Sequence, residues 1–214
     1  MKKKIAILGS TGSIGQSTLE VIKKNKNNFS IVLLSANNNY KKLIDQAKYF
    51  KAENVLIKNS RLYTKVKTAL KKNKTKVYCG DTSINKIISS KLDYSMSAIV
   101  GIAGLQPTID ITKISKVVAI ANKETIICGW SILSKLIKKY KTKIVPVDSE
   151  HFSIMELTKN ISNEEVEEII ITASGGPFLN KSLNKVKNVK AKDAIKHPNW
   201  KMGKKISIDS ANLM

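Results

Sequence analysis

Two carboxylates and an imidazole stand together in the stretch KIVPVDSEH, residues 143–151. A short apolar run of Ile144, Val145 and Val147 passes through Pro146 into Asp148, Ser149, Glu150 and His151. Side chains that can do chemistry therefore emerge where a strand is expected to end, the place where α/β enzymes keep their reacting groups. Asp148 and Glu150 are two residues apart. In an extended segment that spacing puts both on one side, where they could share a hard divalent cation. A solvated loop is the other reading of an isolated Asp-x-Glu, and the rest of the chain has to decide.

The elements that must position these residues begin at the amino terminus. Ile5–Leu8 is a buried-strand run. Gly9-Ser10-Thr11-Gly12-Ser13-Ile14-Gly15 follows it, and Gln16–Lys24 then has helical spacing at Leu19 and Ile22. Strand, glycine-rich turn and helix form a variant of the dinucleotide fingerprint: glycines let the backbone approach a pyrophosphate, and the helix offers free N–H groups. A second strand, Ile31–Ala36, ends in Asn37-Asn38-Asn39, where an NAD enzyme places an acid for the ribose hydroxyls. Absence of that acid favours NADP, because a carboxylate there repels the 2′-phosphate; a plain polar turn is the alternative.

The alternation continues with a helix over Tyr40–Phe50, a strand at Asn54–Ile57 and a helix over 60–72. Strands at 76–78 and 98–100 flank a helix near 84–90. A turn at Gly101–Gly104 leads to a helix near 107–114 and a strand at 117–121. Asn122-Lys123-Glu124 then opens a helix reaching about Tyr140. This order predicts an α/β fold with a Rossmann-like doubly wound parallel sheet. Lys123 at a strand end could face a cofactor crevice, or with Glu124 simply begin a helix.

Beyond the opening stretch, 152–157 reads as helix and Ile169–Ile171 as a strand ending in Thr172-Ala173-Ser174-Gly175-Gly176-Pro177. Ser-Gly-Gly offers a hydroxyl and bare amides to a phosphate, or is a plain turn. The lysine-rich run 181–192 reads as a solvated connection. His197-Pro198-Asn199-Trp200-Lys201-Met202-Gly203 places large side chains in a loop context, which suits a lid over a ligand. Ile206 and Ile208 alternate as a final strand, and an ending just past it suggests the amino-terminal portion of something longer.

Composition bounds the partners. The 214 residues carry a net charge of +22, but all 38 basic residues except Arg61 are lysine, scattered along the chain. Nucleic-acid recognition favours arginine forks and interleaved aromatics, so no nucleic-acid partner is expected; attraction for small anions is. Cys79 and Cys128 make no disulfide framework or metal spacing, which points to a reducing, cytoplasmic setting. No stretch is long enough to cross a membrane.

Taken together, GSTGSIG (9–15), ANKE (121–124), PVDSEH (146–151), SGGPF (174–178) and HPNWKMGKKISIDSA (197–211) closely resemble the 1-deoxy-D-xylulose 5-phosphate reductoisomerase family. The resemblance spans the whole chain. It implies a Rossmann-like NADPH-binding domain over 1–146 and the amino-terminal part of an α+β catalytic domain over 147–214. The implied reaction belongs to non-mevalonate isoprenoid biosynthesis. Mg²⁺ or Mn²⁺ chelates oxygens of a small phosphorylated sugar, the skeleton rearranges, and NADPH reduces the aldehyde to 2-C-methyl-D-erythritol 4-phosphate. It also implies a homodimer at full length.

Carried over by position, Asp148 and Glu150 resemble metal ligands and Ser149 a ligand to a substrate hydroxyl. Ser174 and Ser210 resemble phosphate ligands, with His197 beside them, and Trp200 and Met202 resemble the lid. Thr11, Gly12, Ser13 and Ile14 match the pyrophosphate turn. Asn39, Asn122, Lys123 and Glu124 match other cofactor-side positions, Lys123 also lying close to the reacting centre. Two departures accompany the match. Asn37 and Asn38 stand where the family often has Gly followed by Lys, Arg or Ser, so a possible cation for the 2′-phosphate is missing. The family also continues past Ser210-Ala211 into a segment with further phosphate ligands and a third metal carboxylate. An inactive cofactor-binding fragment is therefore the alternative. Semialdehyde dehydrogenases share the turn but need a cysteine nucleophile, and Cys128 falls inside a predicted helix.

Overall fold

Both faces of the first strand are apolar because both are covered. In β1 (Lys3–Leu8), Ile5 and Ile7 enter one buried cluster while Ala6 and Leu8 enter the other, the alternation of a strand held between two layers. The computed structural model describes residues 1–201, 203, 204, 207, 208 and 211. Beside β1 it places β2 (Phe29–Ala36), β3 (Asn54–Ile57), β4 (Lys76–Cys79), β5 (Leu92–Ser97), β6 (Ser115–Ile120) and β7 (Lys143–Pro146). Every pairing is parallel, and the order is β4-β3-β2-β1-β5-β6-β7. The chain winds outward from β1 to β4 and returns to β5 on β1's other side. The order reverses between β1 and β5, where open parallel sheets have their crevice.

Helices cover the two faces separately. Leu19 and Ile22 of α1 (Ser13–Lys24), Leu43, Ile44 and Ala47 of α2 (Tyr40–Phe50) and Val66 of α3 (Tyr63–Ala69) pack in one cluster. Ile84 and Ile87 of α4 (Ile84–Ile87), Ile111 of α5 (Leu105–Thr112) and the half-buried Ile126 of α6 (Lys123–Tyr140) pack in the other. Each such fully buried Ile or Leu contributes roughly 1.5–3 kcal/mol. The doubly wound parallel sheet expected from the alternation is what forms.

One strand lies elsewhere than expected. The apolar residues of 98–100 suggested it, but β5 ends at Ser97. Its own sequence, Leu-Asp-Tyr-Ser-Met-Ser, looks too polar for a central strand. Ser95 Oγ and Ser115 Oγ lie 2.7 Å apart, and Ser97 Oγ and Thr108 Oγ1 lie 2.6 Å apart. Paired hydroxyls are tolerated in a core that rejects unpaired ones.

The chain divides into two compact units, Met1–Ser153 and Ile154–Met214. The sheet lies in the first. The second contains the end of α7 (Ser149–Leu157), α8 (Leu183–Val186), α9 (Ala191–Ala194) and 3₁₀ turns at Asn163–Glu165 and Gly176–Phe178. Ile169–Ile171, expected as a strand, pairs with no other strand among the described residues, and all three side chains are exposed. A strand needs a ladder partner to satisfy its backbone. Ser207 and Ile208 are helical where a strand was expected, Ser207 N donating to Gly203 O at 3.0 Å. Ile206 lies outside the described residues. No helix among the described residues is long and apolar enough to cross a membrane.

Candidate functional site

Because all seven strands run parallel, their carboxyl ends share one edge, and the candidate residues of the first unit collect there. The glycine turn leaves β1 at its centre. Gly9 adopts φ +79°, and a Cβ on it would stand 2.7 Å from Ala98 O at the end of β5. The left-handed backbone and the close approach both require glycine. A Cβ on Gly15 would meet Ser10 Cα at 2.6 Å, so α1 can seat against the turn only with glycine there. Gly12, extended and exposed, precedes α1, which starts with no side-chain cap and no acidic residue in its first turn. Ser13 is exposed and Thr11 and Ile14 are half-buried. An uncapped helix start behind exposed Gly12 and Ser13 fits an anionic pyrophosphate.

Distant residues hold the turn rigid. Ser10 N donates to Ser35 O at 2.8 Å and Gly9 N to Ser35 Oγ at 3.0 Å. Ser10 Oγ lies 2.8 Å from Gln46 Oε1, and Gln46 Nε2 donates back to Ser10 O at 2.9 Å. These partners were not among the expected residues, and at 25 to 36 residues' separation no local pattern announces them.

Asn39 caps α2, its side chain accepting from Lys42 N at 3.2 Å. Asn122 is more deeply committed. It is buried, its Oδ1 accepts from Thr125 N at 3.0 Å, and its Nδ2 donates to Gly101 O at 2.7 Å and to Ile99 O. The side chain thus ties the start of α6 to the loop after β5. Lys123 and Glu124 follow as half-buried first-turn residues. The Thr125 hydroxyl beneath them is buried without a hydrogen-bond partner among the described residues.

At the end of β7 the expected extended geometry is replaced by a helix. α7 starts at Ser149, Asp148 Oδ1 accepts from His151 N at 2.9 Å, and the same oxygen lies 2.5 Å from His151 Nδ1. Residues two apart at a helix start do not face one another, so Asp148 and Glu150 are not aligned by strand alternation as the spacing suggested. Asp148 acts as a cap because its short carboxylate satisfies an amide that α7 leaves open. Ser149 Oγ donates to Glu150 Oε2 at 3.1 Å. Carboxylate oxygens are the right donors for Mg²⁺ or Mn²⁺. Among the described residues no group of three metal-binding side chains forms.

In the second unit, Ser174 and His197 come together across 23 residues, with His197 Nε2 2.9 Å from Ser174 Oγ. Gly176 N donates to the same oxygen at 3.3 Å. Trp200 stacks on the His197 ring at 4.6 Å between centroids and 21° between planes, half its surface still exposed. The expected site residues Met202 and Ser210 lie outside the described residues.

A glycine-rich turn at the switch point of a doubly wound parallel sheet defines a dinucleotide-binding fold. The sequence matches the family profile of 1-deoxy-D-xylulose 5-phosphate reductoisomerase over residues 5–129 and that of its carboxyl-terminal domain over 144–214. The chain belongs to the 1-deoxy-D-xylulose 5-phosphate reductoisomerase family. It is 56% identical over 214 residues to the reductoisomerase of Pelagibacter ubique (strain HTCC1062), and 45% identical over 213 residues to that of Wolbachia pipientis subsp. Culex pipiens. Each match covers 99% of this chain but only 55% and 54% of the relative, so the chain spans about half the length of the curated relatives it matches. The reductoisomerase of Zymomonas mobilis in complex with NADPH superposes with a TM-score of 0.89 at 36% identity, covering 100% of this chain and 55% of that one. A reductoisomerase in complex with NADPH, fosmidomycin and magnesium gives 0.87 at 33% identity, covering 99% and 55%.

Proposed function

We propose that this chain carries the NADPH-binding portion, and part of the substrate portion, of a 1-deoxy-D-xylulose 5-phosphate reductoisomerase. The enzyme would work in the cytoplasm as a homodimer at full length. The observation that carries this reading is the glycine turn: an uncapped, unacidic helix start beside Gly9 and Gly15, at the reversal of strand order, in a chain of this family. When bound, NADPH supplies hydride and Mg²⁺ or Mn²⁺ polarises the oxygens of the sugar phosphate.

The chain's own residues do the rest. Ser13 and Ile14 present backbone amides to the pyrophosphate, with Thr11 and Gly12 beside them, the Gly12 amide itself donating to Gly9 O and closing the turn. Asn122 fixes the start of α6 and thereby the placement of Lys123 and Glu124 near the nicotinamide side. Asp148 and Glu150 hold the cation, and Ser149 binds a substrate hydroxyl. Ser174, oriented by His197, hydrogen-bonds the substrate phosphate, and Trp200 shields that phosphate site from water. Domain limits at 1–146 and 147–214 accompany this reading.

NADPH oxidation is measured with 1-deoxy-D-xylulose 5-phosphate and Mg²⁺ or Mn²⁺, for this chain and for one extended by the carboxyl-terminal portion its relatives carry. Turnover by the extended protein is expected, with far less or none from the 214 residues, because two carboxylates make a poor cation site. Absence of turnover in both, each folded, contradicts the assignment.

A further inference from the structure

The carboxyl end of β2 meets the adenine ribose of a dinucleotide in folds of this kind. Here it carries only amides, Asn37, Asn38 and Asn39, all exposed. Neither the acid that would grip an unphosphorylated ribose nor a cation for a 2′-phosphate stands on it. The end of β3 runs alongside. Lys58 N donates to Ala36 O at 2.9 Å, Asn59 N to Asn37 O at 3.3 Å and Asn59 Nδ2 to Asn38 Oδ1 at 2.9 Å. Three hydrogen bonds thus lace the turn after β3 to the turn after β2.

Asn59 also orders the turn beyond it. Its Oδ1 accepts from Arg61 N at 3.1 Å, capping the 3₁₀ turn Ser60–Leu62, so Arg61 is anchored to the residue that grips Asn38. Arg61 is the only arginine in a chain with 38 basic residues. Its side chain is exposed and has no partner among the described residues. The neighbouring Lys58 ammonium is already paired with the Asp81 carboxylate.

We propose that Arg61 reads the 2′-phosphate of NADPH, supplying from the β3 end the cation that the β2 end lacks. The inference rests on the reading of this chain as an NADPH binder. A guanidinium fork fits two phosphate oxygens, which an ammonium cannot match in geometry. The Nδ2 groups of Asn38 and Asn39, whose Oδ1 atoms are engaged by Asn59 and Lys42, add neutral donors beside it.

Binding is measured by fluorescence titration of NADPH and NADH into the 214-residue chain, wild type, Arg61→Ala and Arg61→Lys, with circular dichroism to confirm folding. Loss of a charge-assisted phosphate contact lowers NADPH affinity about 10- to 100-fold in Arg61→Ala, while NADH affinity changes less than about twofold. Arg61→Lys recovers part of the loss. If wild type binds NADPH and the ratio of NADPH to NADH affinity is the same in Arg61→Ala, the assignment of Arg61 is overturned while the cofactor reading stands. A ratio that moves in Lys58→Ala instead gives the role to Lys58 and overturns it equally. If folded wild type binds neither nucleotide, the cofactor reading itself fails and this inference with it.

Discussion

The hydrogen bond between His197 and Ser174 has a direction fixed by the other side of the imidazole. His197 Nδ1 lies 3.1 Å from the backbone nitrogens of both Asn199 and Trp200, which can only donate. Nδ1 must therefore be the bare nitrogen and Nε2 the N–H, so His197 donates to Ser174 Oγ across 2.9 Å. The Ser174 hydroxyl oxygen thus acts as an acceptor toward protein, and its proton is turned away from His197.

Imidazole nitrogen chemical shifts test this directly. A neutral Nε2–H tautomer at His197 is expected, and an Nδ1–H tautomer contradicts the geometry. His197→Ala leaves two amides and one hydroxyl without this partner and is expected to destabilise the second unit by about 1–2 kcal/mol.

Gly15→Ala tests the seating of α1. The added methyl would sit 2.6 Å from Ser10 Cα, and a backbone atom cannot swing aside as a flexible side chain does. A loss of about 1–3 kcal/mol in denaturant unfolding is expected, with the backbone shift weakening NADPH binding as well. Wild-type stability in this variant would mean that the turn is looser than described.

Asn122 is a stronger test of positioning. Asn122→Ala strands the buried Thr125 N–H and the half-buried carbonyl of Ile99, while Gly101 O keeps the amide of Gly104, costing about 1–3 kcal/mol. Asn122→Asp keeps the cap oxygen but sets a carboxylate against two carbonyls, so it should not restore wild-type stability. Full recovery by Asp would show that the cap alone matters.

Much of the first unit was legible because its signals are local. Tyr40–Phe50 carries its apolar residues at helical spacing, Asn54–Ile57 is a short apolar run, and both form where periodicity put them. β5 is hidden in the sequence because Ser95 and Ser97 bury hydroxyls whose partners, Ser115 and Thr108, are 20 and 11 residues away. The stretch at Asp148 reads as extended in the sequence because capping by an Asp looks the same as a loop until the helix after it is seen. Ile169–Ile171 has strand composition, but a strand is defined by its partner. Asn122 was legible as a site residue but not as a buried tie, since Ile99 and Gly101 lie more than 20 residues before it.

Tyr94 gives the pH prediction. It lies in β5 opposite Ile5, and burial pushes its phenol above the ordinary value near 10. A raised folded-state value means that the native protein keeps this proton where the unfolded chain loses it. The associated stability is complete below about pH 10 and is lost as pH rises toward the folded value. Tyr94→Phe should flatten the fall in unfolding free energy above about pH 10. An unchanged slope would mean that Tyr94 titrates like an exposed tyrosine.

The proposed dinucleotide site is the carboxyl edge of the sheet, at the glycine turn. Titration of NADPH into the ¹⁵N-labelled chain, followed by amide resonances, tests it most directly. Saturable shifts are predicted at residues 9–15, at Asn37–Asn39 and at Asn122–Glu124, with little change at the opposite edge around Lys48, Lys72 and Lys74. Shifts confined to that lysine-rich edge, or no saturable shift in the folded protein, would contradict the account.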